Sequence, residues 1–118
     1  MSRVIEIRSY ALRPGARPEF DRLVRDRSLP MLARWKVDVV GYGLSLHDDR
    51  SCYLIRAYES LEQRQASQDA FYGSSEWKDG PRDALLAMIE TYTTVVLEID
   101  DGAVEALRSM TRTGGSSR

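Results

Sequence analysis

Two periodicities alternate along this chain in one order, β, α, β, β, α, β, and that order restricts the fold more than any single motif does. From Val4 to Leu12 the residues alternate, with Ile5, Ile7, Ser9 and Ala11 on one side and Glu6, Arg8 and Tyr10 on the other, as a pleated strand requires. Arg13-Pro14-Gly15 breaks the run. Phe20, Leu23, Val24, Arg27, Met31 and Trp35 then recur at three- and four-residue steps, which predicts an amphipathic helix from about Ala16 to Trp35. Pro30 is expected to kink or split it, because its ring removes a backbone donor and crowds the preceding turn.

Val37 to Leu46 and Ser51 to Tyr58 are β-type runs joined by the polar His47-Asp48-Asp49-Arg50, a hairpin. Ser60 and Gln63 have capping-box spacing, so a helix should open at Leu61 and run toward Tyr72. Gly73-Ser74-Ser75 ends it, and a short turn at Glu76 to Asp79 leads through Gly80-Pro81 to a further helix carrying Leu85, Met88 and Ile89. Thr91 to Ile99 is dense in β-branched residues and reads as the last strand. The domain thus covers residues 1–100, and residues 101–118 read as a tail, a marginal helix (Ala103 to Met110) followed by the disorder-prone TRTGGSSR.

Two split βαβ units fold most simply into an α+β, ferredoxin-like domain with an antiparallel sheet of order 4-1-3-2 and both helical segments on one face. Ile5, Ile7, Ser9 and Ala11 are assigned to the helix side. The uncovered face then carries Glu6, Arg8, Tyr10, Val40, Tyr42, Leu44, Leu46, Cys52, Leu54, Arg56 and Tyr58, a set too apolar to leave in water. A two-fold mate covers such a face most simply, so a homodimer is expected, with its two sheets facing each other as a barrel.

Composition narrows the function classes. A net charge of −1 over 118 residues gives no field to attract phosphate polymers or anionic lipid, so nucleic acid and membrane are not expected partners. The single cysteine, Cys52, excludes an intrachain disulfide and suits a reducing compartment. With no apolar leader and no span long enough to cross a bilayer, a cytoplasmic location is expected.

The segments IEIRSYALRPG, LPML, VGYG, RAYESLEQR and SSEW, in this order and spacing between Val4 and Ile99, resemble the NIPSNAP family of the dimeric α+β barrel superfamily. The resemblance implies a ferredoxin-like fold and a barrel dimer but no common reaction. The superfamily also holds small monooxygenases, haem-degrading enzymes and isomerases, whose pockets often lie between sheet and helices.

Several residues could carry chemistry. Arg8 and Arg56 beside Tyr10 and Tyr58 could hold a carboxylate or an enolate, or could simply form ion pairs with Glu6 inside the barrel. Arg27, Trp35, Tyr53 and Trp77 could line a partly polar pocket between helices and sheet, Arg27 otherwise reaching to solvent. His47, the only histidine, could act as a base or ligand with Asp48 and Asp49, although a turn favours such residues for its own reasons. No metal site and no cofactor is expected, haem being the weakest of the readings. Cys52 in mid-strand does not suit a nucleophile, and Gly41-Tyr42-Gly43 lacks both the third glycine and the helix start of a dinucleotide site. The expected function is therefore the binding of a small organic molecule between sheet and helices. The alternative is a cofactor-independent monooxygenase or isomerase using Arg8, Tyr10 and His47.

Overall fold

In a computed structural model, which describes residues 1–116, β1 (Ser2–Leu12) is the central scaffold, paired antiparallel with β3 (Ser51–Tyr58) on one side and β4 (Ile89–Asp100) on the other. With β2 (Asp38–Leu44) beyond β3 the order is β2-β3-β1-β4, the expected order read from the other edge. The register sets Glu6 opposite Arg56 and Val96, Arg8 opposite Leu54 and Thr94, and Tyr10 opposite Cys52 and Tyr92. These residues share one face, as their alternation requires.

The first helical stretch is split just before Pro30, as expected, by a widened turn and not by an interruption of the helix. α1 (Arg17–Leu23) passes into one π-helical stretch, Val24–Ser28, and then into α2 (Leu29–Arg34), with the Leu29 N–H bonding back to the Val24 carbonyl. The wider turn absorbs the donor that Pro30 lacks and turns Ser28 inward, where it is buried. α2 ends in a Schellman pair, Val37 N–H to the Leu32 carbonyl and Lys36 N–H to Ala33, with Lys36 itself left-handed at φ 62°. α3 (Leu61–Tyr72) opens on the predicted cap, since the Ser60 hydroxyl accepts from Gln63 N–H at 3.0 Å. The Gln63 side chain reaches back to Glu59 N–H. α4 (Ser75–Lys78) and α5 (Arg82–Met88) lead into β4.

The two faces of the sheet are the reverse of the sequence expectation. Glu6, Arg8, Tyr10, Tyr42, Leu44, Cys52, Leu54, Arg56 and Tyr58 lie under α1–α5, among Phe20, Val24, Leu32, Phe71 and Leu85. The opposite face carries Ile5, Ile7, Tyr53, Ile55 and Ala57. Val40 joins that face because a bulge between Val39 and Gly41 shifts the parity of β2.

The outer face is not bare. Where a marginal helix and a disordered tail were expected, α6 (Asp101–Ser116) runs as one helix, and only residues 117–118 of the tail lie outside the described residues. Val104, fully buried, and Leu107 pack on Ile5, Val40, Ile55 and Ala57. Arg108 clamps Asp38 at 2.7 and 3.0 Å, and Arg3 joins Asp38, Asp101 and Glu105. Tyr53 lies across Gly43, where a Cβ would sit 2.7 Å from its hydroxyl. The β4 side of this face stays open, with Val95 56% and Leu97 38% exposed.

No helix among the described residues is long and apolar enough to cross a membrane.

Candidate functional site

A cavity of about 400 Å³ lies between the sheet and the helix layer, within the range of small-molecule sites. Its floor is Arg8, Tyr10, Tyr42, Leu54 and Tyr92 from the strands. Its roof is Phe20 and Val24 from the first helical stretch, Phe71 and Tyr72 from α3, and Trp77 and Leu85 beyond. The mouth opens between α5 and β4, where Leu86 is 45% and Tyr92 55% exposed.

The aromatic walls are tied together. Phe71 meets Tyr72, Trp77 and Trp35 at centroid distances of 5.0, 5.4 and 6.0 Å, and Tyr10 meets Phe20 at 5.7 Å. Edge-on and tilted contacts of this kind fix ring orientation beyond simple burial.

One end of the cavity is electropositive. Glu6 is fully buried, and its Oε1 accepts from Arg56 Nε at 2.9 Å and from a second Arg56 nitrogen. Its Oε2 accepts from Arg64 at 2.6 and 3.1 Å, from Gln68 at 2.7 Å and from Arg8 at 3.3 Å. Burial alone would raise the Glu6 pKa, but Arg56 and the bonds from Gln68 and Arg64 hold it at about 2. Arg56 also donates to the Tyr72 hydroxyl at 2.8 Å. Arg8 has the longest bond to Glu6, and its guanidinium stacks over the Tyr92 ring at 5.1 Å.

Two buried polar atoms have no hydrogen-bond partner among the described residues, Arg8 Nε and Ser28 Oγ, and both residues line the cavity. Unsatisfied buried polar groups are rare in folded proteins because each one forfeits its hydration. Tyr10 is pushed up to about 12 by burial, so its phenol stays a hydroxyl at neutral pH.

The sequence candidates divide accordingly. Arg8, Tyr10 and Trp77 line the cavity. Tyr42 and Leu54, expected on a dimer face, line it too. Arg56, Tyr58 and Glu6 lie outside the cavity wall, bonded to its residues Arg8, Gln68 and Tyr72, so the expected ion pairs exist, but under the helices and not on the uncovered face of the sheet. Leu44 is also on this covered side.

Trp35 packs on Phe71 and donates to Glu76 at 2.8 Å, outside the cavity wall, while Arg27 is exposed and Tyr53 lies on the opposite face. His47 is exposed in the hairpin turn, whose Asp48 carboxylate accepts from Arg50 and Ser51 N–H to shape the turn. Arg17 ties the same hairpin down by donating to the carbonyls of Ser45, Asp48 and Ser51.

Ser28, Gln68, Tyr72 and Tyr92 were not among the sequence candidates. Gln68 and Tyr72 are four residues apart on α3, a spacing that places them on one helix face. Among the described residues no group of three or more metal-ligating side chains occurs.

Comparison with known proteins agrees with the fold. The family model described as NIPSNAP matches residues 5–97. A NIPSNAP family protein of Agrobacterium tumefaciens superposes with a TM-score of 0.76 at 22% identity, covering 84% of this chain and 87% of that one. A NIPSNAP domain protein of Burkholderia xenovorans superposes at 0.74 and 19% identity, covering 83% and 95%. A Nitrosomonas europaea protein assigned by name to antibiotic biosynthesis monooxygenases superposes at 0.60 and 14% identity, covering 80% and 95%. At these identities the likeness is one of fold alone. No curated protein matches the sequence.

Proposed function

The chain belongs to the NIPSNAP family, and from its own residues we propose that it binds a small organic molecule in the cavity between sheet and helices. The observation that carries the reading is the pair of buried, unsatisfied polar atoms, Arg8 Nε and Ser28 Oγ, in a chamber lined mainly by aromatic and aliphatic side chains. Native mass spectrometry of the purified protein tests it. A bound small molecule is expected, lost in Leu29→Trp, which fills the cavity from α2; a protein that never carries or takes up a ligand refutes the reading.

A second reading, a cofactor-independent monooxygenase or isomerase, draws support from Arg8 and Tyr10 standing together on the floor and from the fold shared with the Nitrosomonas protein. His47 has no part in it. Turnover of a bound molecule, abolished by Tyr10→Phe with binding retained, would establish it.

The same proposal includes a homodimer, now through the outer face. From Ile7 to Ala11 and from Thr91 to Leu97 the outward residues are Ile7, Ser9, Ala11, Thr91, Thr93, Val95 and Leu97. This strip has no charge and so can meet its own copy without unpaired ions. Light scattering should give twice the chain mass, reverting to monomer in the double variant Val95→Glu, Leu97→Glu. A monomeric parent protein would refute it. A cytoplasmic location fits the buried free thiol of Cys52 and is proposed on that basis.

A further inference from the structure

Resting on the cavity as a binding site, we propose that its ligand is an aromatic carboxylate of on the order of a dozen non-hydrogen atoms with a second polar group. Its acid is received by Arg8 and its second group by Ser28.

The charge of the site is the first argument. Three guanidiniums, Arg8, Arg56 and Arg64, surround the single carboxylate of Glu6, an excess of two positive charges beside a largely apolar chamber. The cavity wall itself carries Arg8, and Arg82 as an exposed residue paired with Asp83, and no carboxylate among the described residues. Buried charge of one sign calls for a partner of the other. Glu6 has no capacity left to supply it, because its two oxygens already receive six nitrogen contacts. Arg8 has the weakest hold on Glu6 and the one unsatisfied nitrogen, so Arg8 is the group that an incoming anion meets. A guanidinium offering its Nε edge matches the two oxygens of a carboxylate, and the Tyr10 hydroxyl beside it can donate to the same group.

Volume and walls supply the rest. About 400 Å³, at the roughly 30 Å³ that one water takes in the liquid, admits a single ring with a short side chain. Tyr10, Phe20, Phe71, Tyr72, Trp77 and Tyr92 offer that ring tilted and edge-on partners. Arg8 belongs to the sheet and Ser28 to the helix layer, so their two free atoms address separate points of one molecule. The π-helical stretch that turns Ser28 inward is thus a specificity device.

Isothermal titration calorimetry with para-hydroxycinnamate, cinnamate and the amide of each tests this. The acids are expected to bind roughly tenfold or more tightly than their amides, the range for hydrogen bonds to a charged group. Arg8→Gln should erase that difference, and Ser28→Ala should erase the preference for para-hydroxycinnamate over cinnamate. The acid-to-amide ratio in the parent protein decides the matter even where Arg8→Gln fails to fold. Amides that bind as well as acids overturn the anion assignment and leave the cavity reading intact. Acids and amides that all fail to bind, while native mass spectrometry still finds a bound molecule, overturn the ligand class alone. If neither probe nor native ligand binds, both readings fall.

Discussion

Replacing Glu6 by glutamine tests the centre of the polar end. The substitution keeps the shape of the side chain but leaves Arg56, fully buried, and the nearby Arg64 and Arg8 without their counter-ion. Removing one member of a buried pair costs about 3–5 kcal/mol, against the roughly 6–18 kcal/mol expected for a domain of this size. The pH dependence adds an independent number. Glu6 titrates at about 2 in the fold against 4.5 for the free side chain, which converts at 1.36 kcal/mol per unit to about 3 kcal/mol. Because the folded pKa is depressed, this stability is fully present above the unfolded value and is lost as pH falls through the folded one. Urea titrations of parent and Glu6→Gln should therefore differ by about 3–5 kcal/mol at pH 7. The gap should narrow by about 2 kcal/mol at pH 3, where the unfolded carboxylate is already protonated and the folded one is not. Taking the difference between the two proteins cancels the other carboxylates. A gap that stays constant from pH 7 to pH 3, or one below about 1 kcal/mol throughout, would refute the reasoning.

Three further outcomes follow from the packing. Gly43→Ala drives a Cβ to 2.7 Å from the Tyr53 hydroxyl and should cost about 1–3 kcal/mol; urea titration in a Tyr53→Ala background should remove most of that cost, a coupling that a double-mutant cycle measures. Val104→Asp places an unpaired charge in a fully buried position under α6 and should cost about 3 kcal/mol or more, read as a lowered urea midpoint. Burial pushes the Cys52 thiol up to about 11, so Ellman's reagent at pH 8 should react with it only after denaturation.

The sheet and α3 were legible because each leaves a local mark, as the full length of α6 and the π-helical stretch do not. The alternation of Val4 to Leu12, the cap at Ser60, the hairpin chemistry at Asp48 and the β-branched run before Ile99 each state a local conformation, and one sheet order satisfies them all. The site was legible in part. Of the expected pocket residues only Trp77 lines the cavity, while Arg8 and Tyr10, which also line it, stand out in the sequence as chemistry-bearing groups but are expected on the uncovered face. Ser28 had no visible signal, since it lies inward in a π-helical stretch, which three- and four-residue apolar spacing does not announce.

The inversion of the two faces has a specific cause. Alternation decides which residues stand together, and it grouped Glu6, Arg8, Tyr10, Leu54, Arg56 and Tyr58 correctly. It does not decide which group the helices cover, because a one-residue shift of phase satisfies the same pattern. Two features far from β1 settle that choice. The first is polar satisfaction: Arg64 and Gln68 of α3 complete the shell of Glu6, and a carboxylate with that many donors is stable under helices where an isolated one is not. The second is α6, which gives Ile5, Val40, Ile55 and Ala57 a cover of their own and so frees the apolar face from needing the main helix layer. With residues 101–118 read as a partly helical and then disordered tail, that cover is missing, and the apolar positions of β1 fall to the only helices left. The arginine face consequently lies inside the chain, under the helices that carry Arg64 and Gln68.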